Sequence, residues 1–156
     1  MKRKNIFLIL CILWMMLIFW FSAQVADDSQ SMSDSIIALI DQFFHTHILT
    51  GGGIIEDTVS FFVRKAAHMS EYAVLAILYA AYFREAGHKN YLLIALLCTV
   101  GYAATDEFHQ LFVEGRSGQL KDVGIDTIGG TLGLLFHEVL VRIWKHRSGK
   151  KNILDN

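Results

Sequence analysis

The sequence predicts an all-α integral membrane protein, a four-helix bundle of transmembrane helices with an extracytoplasmic amphipathic helix between the first and second spans. Three observations predict it. Hydrophobic residues make up 53% of the chain and charged residues only 19%, too apolar a balance for an ordinary soluble domain. The apolar residues are gathered into runs of membrane-spanning length, which a soluble core does not require. Lys and Arg fall in blocks that a bilayer sorts to one side. The 156 residues read as one membrane domain, 1–156, with spans at about 5–23, 59–83, 91–110 and 122–144 and an external segment over 24–58.

The first element opens on Lys2, Arg3 and Lys4 and runs on as unbroken apolar sequence over 6–21. A signal peptide has the same basic head and apolar middle. Here FSAQVADD gives no small-x-small cleavage site, and Trp20 and Phe21 stand where small residues are wanted. A retained first span is expected, with Trp20 at the interface. The next stretch holds Asp27, Asp28, Asp34, Asp41, Glu56 and Asp57 but no Lys or Arg. Ile36, Ile37, Ile40, Phe43, Phe44 and Ile48 recur there at helical spacing, predicting a short helix over 33–49 on the membrane surface, broken by Gly51, Gly52 and Gly53. His45 and His47, two positions apart, do not share a helix face and read as solvated polar residues rather than metal ligands.

The second apolar run is interrupted near its start by Arg64, Lys65, His68, Glu71 and Tyr72, and a polar turn with Gly87 follows it. The third run ends on Asp106, Glu107, His109 and Gln110. A short loop around Gly115, Arg116, Ser117 and Gly118 leads into the fourth, which begins with Asp122 and Asp126. Cys11 and Cys98 lie inside apolar runs and read as small buried hydrophobes rather than a disulfide or metal pair. Proline is absent, so no helix need be kinked by it. A net charge of −1 gives no basis for a nucleic-acid partner, and nothing in the sequence sets an oligomeric state.

Four spans put both termini on one side. With the termini cytoplasmic, Lys2, Arg3, Lys4, Arg84, Lys89, Arg142, Lys145, Arg147, Lys150 and Lys151 all fall inside and the acidic segment faces out, as the positive-inside rule asks. Ionisable groups at membrane depth are costly and mark functional sites. This topology brings those of the second, third and fourth spans to one leaflet, within roughly 15 Å of the outer surface at 1.5 Å rise per residue.

The helix faces agree. Arg64, Lys65, His68, Glu71 and Tyr72 fall within an arc of roughly 120° at 100° per residue. Asp106, His109, Gln110, Tyr102 and Thr99 share a face, with Glu107 to one side. Asp122, Asp126, Gly129, Gly133 and His137 line up, and Gly129 and Gly133 have the spacing that lets membrane helices approach closely. Ala66, Ser70, Ala73, Ala76 and Ala80 thin the second span in the same way. The expectation is a compact bundle with a polar pocket open to the outer face.

Two readings of the cluster compete. Arg64 and Lys65 can pair with Asp106, Asp122 or Asp126 and do no more than fix the register of the bundle. His68 then becomes a hydrogen-bonded interior histidine, Tyr72 a packed ring with a satisfied hydroxyl, and Arg116 a solvated loop charge. Against this stands excess: the ionisable groups outnumber what register requires. In the ligand-binding reading Arg116 and Ser117 reach over the pocket as an anion-binding lid, a guanidinium gripping phosphate or carboxylate at two points.

The pieces RKAAHMSEYAVLA, ATDEFHQLFVEGRSG and KDVGIDTIGGTLG, and more loosely WFSAQ, resemble the VanZ-like family of small bacterial membrane proteins. They cover about 60–135, just under half the chain, and the order K-x-x-H-x-x-x-Y, D-E-x-x-Q, G-R and D-x-x-x-[DN]-x-x-G makes the match specific. Glu114 stands where the family often has proline, which suggests a less rigid turn. Asp126 stands where asparagine is frequent, which adds negative charge and makes an asparagine-specific hydrogen bond unnecessary there. By position the resemblance carries over Lys65, His68, Tyr72, Asp106, Glu107, Gln110, Arg116, Asp122, Asp126 and Gly130. It implies a multi-pass protein of the bacterial cell membrane, and a founding member associated with resistance to the lipoglycopeptide teicoplanin. It brings no settled catalytic activity.

Three functions fit. In the first, an outer-leaflet pocket binds a membrane lipid headgroup, a lipid-linked cell-wall precursor or a lipidated antibiotic. Arg64, Lys65 and Arg116 hold the anion, and Tyr72, Gln110, Asp122 and Asp126 complete the ligand site. In the second, an enzyme acts on a lipid phosphate, with His68, Glu71, Asp106 and Glu107 as the catalytic set. A divalent cation is then possible on Asp106, Glu107, Asp122 and Asp126, although no cofactor is identified and two cations already sit among them. The third, a proton or ion pathway, wants ionisable groups at the inner leaflet, where only His137 and Glu138 lie. It ranks last.

Overall fold

A computed structural model describes residues 2–24, 26–44 and 54–154, with side chains described over 2–24, 31–43 and 58–147. All regular structure among the described residues is helical: α1 (Arg3–Ser22), α2 (Ala26–Phe44), α3 (Ile54–Glu85), α4 (Tyr91–Gln110) and α5 (Leu120–Leu154). Among the described residues, three helices are long and apolar enough to cross a membrane: α1, α4 and the Leu120–Arg147 part of α5. The charged and polar residues in the middle of α3 keep it out of that set, although it was expected as the second span. α3 is instead the centre of the protein. It packs most extensively on α5 and also on α1, α4 and α2.

The helices outrun the apolar runs that predict them. α3 starts five residues before 59, and α5 continues past 144 to Leu154. An apolar run marks the thickness of a hydrocarbon slab, whereas the helical hydrogen-bond ladder is indifferent to side-chain polarity and stops only where the backbone turns. α3 ends in such a turn. The His88 N–H donates to the Phe83 carbonyl at 3.0 Å and the Gly87 N–H to that of Arg84 at 3.0 Å, with Gly87 at φ +87°. This Schellman arrangement needs a left-handed residue, which glycine adopts without steric cost.

Packing follows the small residues. A Cβ placed on Gly129 overlaps the Met69 backbone carbonyl, and one on Gly133 overlaps that of Ala73. α3 and α5 therefore touch backbone to backbone along the stripe expected for close approach. Ala76 and Ala80 are fully buried with Ala95 and Leu134, while Ala66 and Ser70 are exposed. Nearer the polar end, Ile18, Tyr72, Leu75 and Ala103 form a second core. α1 is held to the bundle by Trp14, whose indole N–H donates to the Glu71 carbonyl at 2.9 Å, and by the Tyr102 hydroxyl on the Met15 carbonyl at 2.6 Å.

Outward, the bundle is covered with Leu13, Phe62, Leu97, Leu132, Phe136 and Trp144, all exposed. A shell so apolar suits lipid rather than water. α2 lies against α3 through buried Ser33 and Ile37, and the Ser60 hydroxyl donates to Asp34 at 2.9 Å. It leaves Leu39 and Phe43 exposed, Phe43 at 79%. α2 begins earlier than 33, at Ala26. Residues 45–49 of the predicted surface helix, His45, His47 and the three glycines lie outside the described residues. Cys11 is buried and Cys98 partly so, both as free thiols.

Candidate polar pocket

The third and fourth apolar runs meet at the loop 111–119, and the polar residues gather there. A Cβ on Gly118 would overlap the Glu107 carbonyl, so the loop is pressed onto the end of α4, and Gly115 turns it at φ +74°. Glu114, in place of proline, is exposed beside that turn. Glu107 Oε2 accepts the Gln119 N–H at 2.8 Å, immediately before the start of α5. That N–H is one of those a helix start leaves without an intrahelical partner, and carboxylate is favoured there. Glu107 thus fastens α4 to α5.

Arg64, Lys65, His68, Glu107, Gln110, Arg116, Asp122 and Asp126 line one cavity of about 250 Å³, together with Phe61, Gly115, Ser117 and Gln119. Of the residues singled out in the sequence, Glu71, Asp106 and Tyr72 do not line it, and neither does His109, whose ring packs against Phe19. Tyr72 is 0% exposed and Asp106 3% exposed; the Tyr72 hydroxyl lies beside Asp106, behind the pocket wall. Glu71 borders a neighbouring cavity and stands 3.7 Å from His68 Nδ1.

Charges in the pocket are partly spent on each other. The Lys65 ammonium is hydrogen-bonded to the Asp122 carboxylate, the pairing expected if register were its task. Arg116 is not a solvated loop charge. Its Nε donates to the Gln24 carbonyl at 3.1 Å and its Nη2 to the Phe21 carbonyl at 3.4 Å, which ties the loop to the C-terminal end of α1. Cations are favoured at that end of a helix. Burial pulls the Arg116 guanidinium below its ordinary range, and nearby Asp106 works most strongly against that fall.

Gln110 completes the attachment of α1: its side-chain amide donates to the Ser22 hydroxyl at 3.1 Å and lies 3.5 Å from Asp106. Ser22 and Gln24 were not singled out as site residues, nor was Gln119. The sequence signal for the first two was the loosely matching WFSAQ. Asp126 is 1% exposed. Asp126 Oδ2 and Asp106 Oδ1 have no partner in good hydrogen-bond geometry among the described residues, so two buried carboxylate oxygens retain acceptor capacity. No three His, Cys, Asp or Glu side chains converge on a metal-sized site among the described residues.

At the opposite end, the Tyr91 hydroxyl donates to Glu138 at 2.6 Å, and Arg142 reaches the same carboxylate at 3.2 Å. His137 is buried with its ring edge toward Tyr91. This smaller cluster lies some 11 residues of α5, about 17 Å of helix rise, from Asp126. Nothing polar among the buried residues of α5 bridges the two.

No curated protein and no solved structure matches the chain. Residues 7–142 match the VanZ/LLP1 family, covering all five helices in whole or part. That match spans most of the chain and agrees with three helices able to cross a bilayer among the described residues: the chain belongs to the VanZ/LLP1 family of membrane proteins.

Proposed function

We propose that the protein spans the bacterial cell membrane four times, with α3 as the second span and both termini in the cytoplasm. Its polar pocket then binds an anionic, lipid-linked ligand at the outer leaflet. The observation that carries this reading is the convergence of Arg64, Lys65 and Arg116 on one cavity of about 250 Å³. Lys65 is paired with Asp122, and Arg64 and Arg116 bring to the same cavity two guanidiniums, whose planar fork suits phosphate geometrically. α2, with Leu39 and Phe43 exposed, lies in the outer interface. Occupation of the pocket alters how a lipoglycopeptide meets the cell surface, as the family resemblance implies.

A second reading has one observation in its favour. His68 and Glu71 stand 3.7 Å apart beside the pocket, an imidazole and a carboxylate of the kinds that act as acid and base in the hydrolysis or transfer of a lipid phosphate once drawn into hydrogen-bond range. Single replacements Arg116→Ala, His68→Ala and Asp106→Ala, at matched membrane levels, separate the two. Binding predicts altered teicoplanin susceptibility in the Arg116→Ala strain with unchanged lipid composition. A lipid species that accumulates in the His68→Ala and Asp106→Ala strains assigns the pocket to catalysis instead.

A further inference from the structure

Two cavities meet at Arg64, His68 and Arg116, which line both. On one side lies the polar pocket, with Glu107, Gln110 and Asp122 in its wall. On the other lies a cavity of about 220 Å³ between the end of α1, α2 and α3. Beyond the three shared side chains its walls are mostly apolar, with Phe21, Met32, Ile36, Val63 and Ala67, and Gln24, Ser33 and Glu71 are the polar exceptions. Met32, Ile36 and Ala67 are exposed, so this cavity is unroofed where α2 runs along α3.

We propose that the two cavities form a single site for a phosphodiester amphiphile. The phosphate sits at Arg64, His68 and Arg116, the headgroup enters the polar pocket, and the first part of the apolar tail lies between α1, α2 and α3. This rests on the anion-binding reading above and adds the ligand class. A phosphomonoester leaves the polar pocket empty, whereas a diester fills both sides of the phosphate. The acceptors Glu107, Gln110 and Asp122 select a headgroup with hydroxyl or amine donors. Burial of tail against Val63 and Ala67 supplies affinity that a soluble phosphate lacks.

The test uses the full chain purified in one detergent and titrated by native mass spectrometry with phosphatidylglycerol, phosphatidic acid of the same chains, and glycerol phosphate. The expected order has phosphatidylglycerol tightest, ahead of each of the other two by about tenfold, one decade in Kd. Ala67→Trp fills the apolar cavity and brings phosphatidylglycerol down to the affinity of glycerol phosphate, which is itself unchanged. Ile36→Trp, from the opposite wall, does the same, so a folding defect in one variant does not decide the matter. Ser117→Trp, in the exposed rim of the polar pocket, erases the preference for phosphatidylglycerol over phosphatidic acid. Equal wild-type affinity for glycerol phosphate and phosphatidylglycerol overturns the amphiphile site and leaves the anion pocket standing, as does a tail preference that survives both tryptophans. Failure of all three probes to bind removes both proposals.

Discussion

Lys65 and Asp122 are each about four-fifths buried and hydrogen-bonded across α3 and α5. Taking either partner away strands a charge in a poorly solvated place, which costs more than the pair contributes over two neutral groups. Lys65→Met and Asp122→Asn are therefore each expected to lower stability in detergent by about 1–3 kcal/mol. The double variant should recover at least about 1 kcal/mol of the summed loss. Strict additivity in thermal unfolding would mean that the two groups do not interact. The residue scale is also where sequence reading worked unevenly. Charged residues in apolar runs announce themselves, so Arg64, Lys65, Asp106 and Asp126 were legible. The partners of Arg116 were not, because the carbonyls of Phe21 and Gln24 belong to the backbone and leave no trace in residue identity. Helix-face geometry put Tyr72 with the pocket, yet the ring turns into the core with Ile18 and Leu75.

Among the elements, the pairing of α3 with α5 is set by where side chains are missing. Gly129 and Gly133 lie against the backbone of Met69 and Ala73, whereas a Cβ on Gly124 meets nothing within 4 Å. The same substitution should therefore have opposite signs on one helix. Gly133→Ala or Gly129→Ala is expected to cost about 1–3 kcal/mol by forcing the helices apart. Gly124→Ala should be neutral or stabilising by up to about 1 kcal/mol, because alanine is the better helix former. Melting temperatures of the purified variants check this, and a loss at Gly124 equal to that at Gly133 would refute the close approach. Spacing alone pointed to the Gly129 and Gly133 stripe. Helix lengths were less legible: the 91–110 run coincides with α4, but α3 and α5 extend into polar sequence where hydropathy carries no signal.

Across the whole molecule, polarity is sorted end to end. The pocket, Arg116 and the end of α1 occupy one end, while Arg84, Lys89, Tyr91, Glu138 and Arg142 occupy the other. If the four-span topology holds, alkaline phosphatase fused after Lys89 is inactive and a fusion after Ser117 is active, with a cytoplasmic fluorescent reporter giving the reverse pattern. Activity after Lys89 would turn the molecule over and place the pocket at the inner leaflet. Both orientations were open to the apolar runs alone; the distribution of Lys and Arg chose between them.

α3 contains neither glycine nor proline over its 32 residues, about 48 Å of continuous rod at 1.5 Å rise per residue. It carries Arg64 and His68 near its middle and meets a turn only at Gly87. A stiff shaft gripped sideways by close-packed neighbours transmits torque rather than absorbing it. A displacement at His68 is therefore carried along the rod to the turn at Gly87, about 29 Å of helix rise away, rather than absorbed in between.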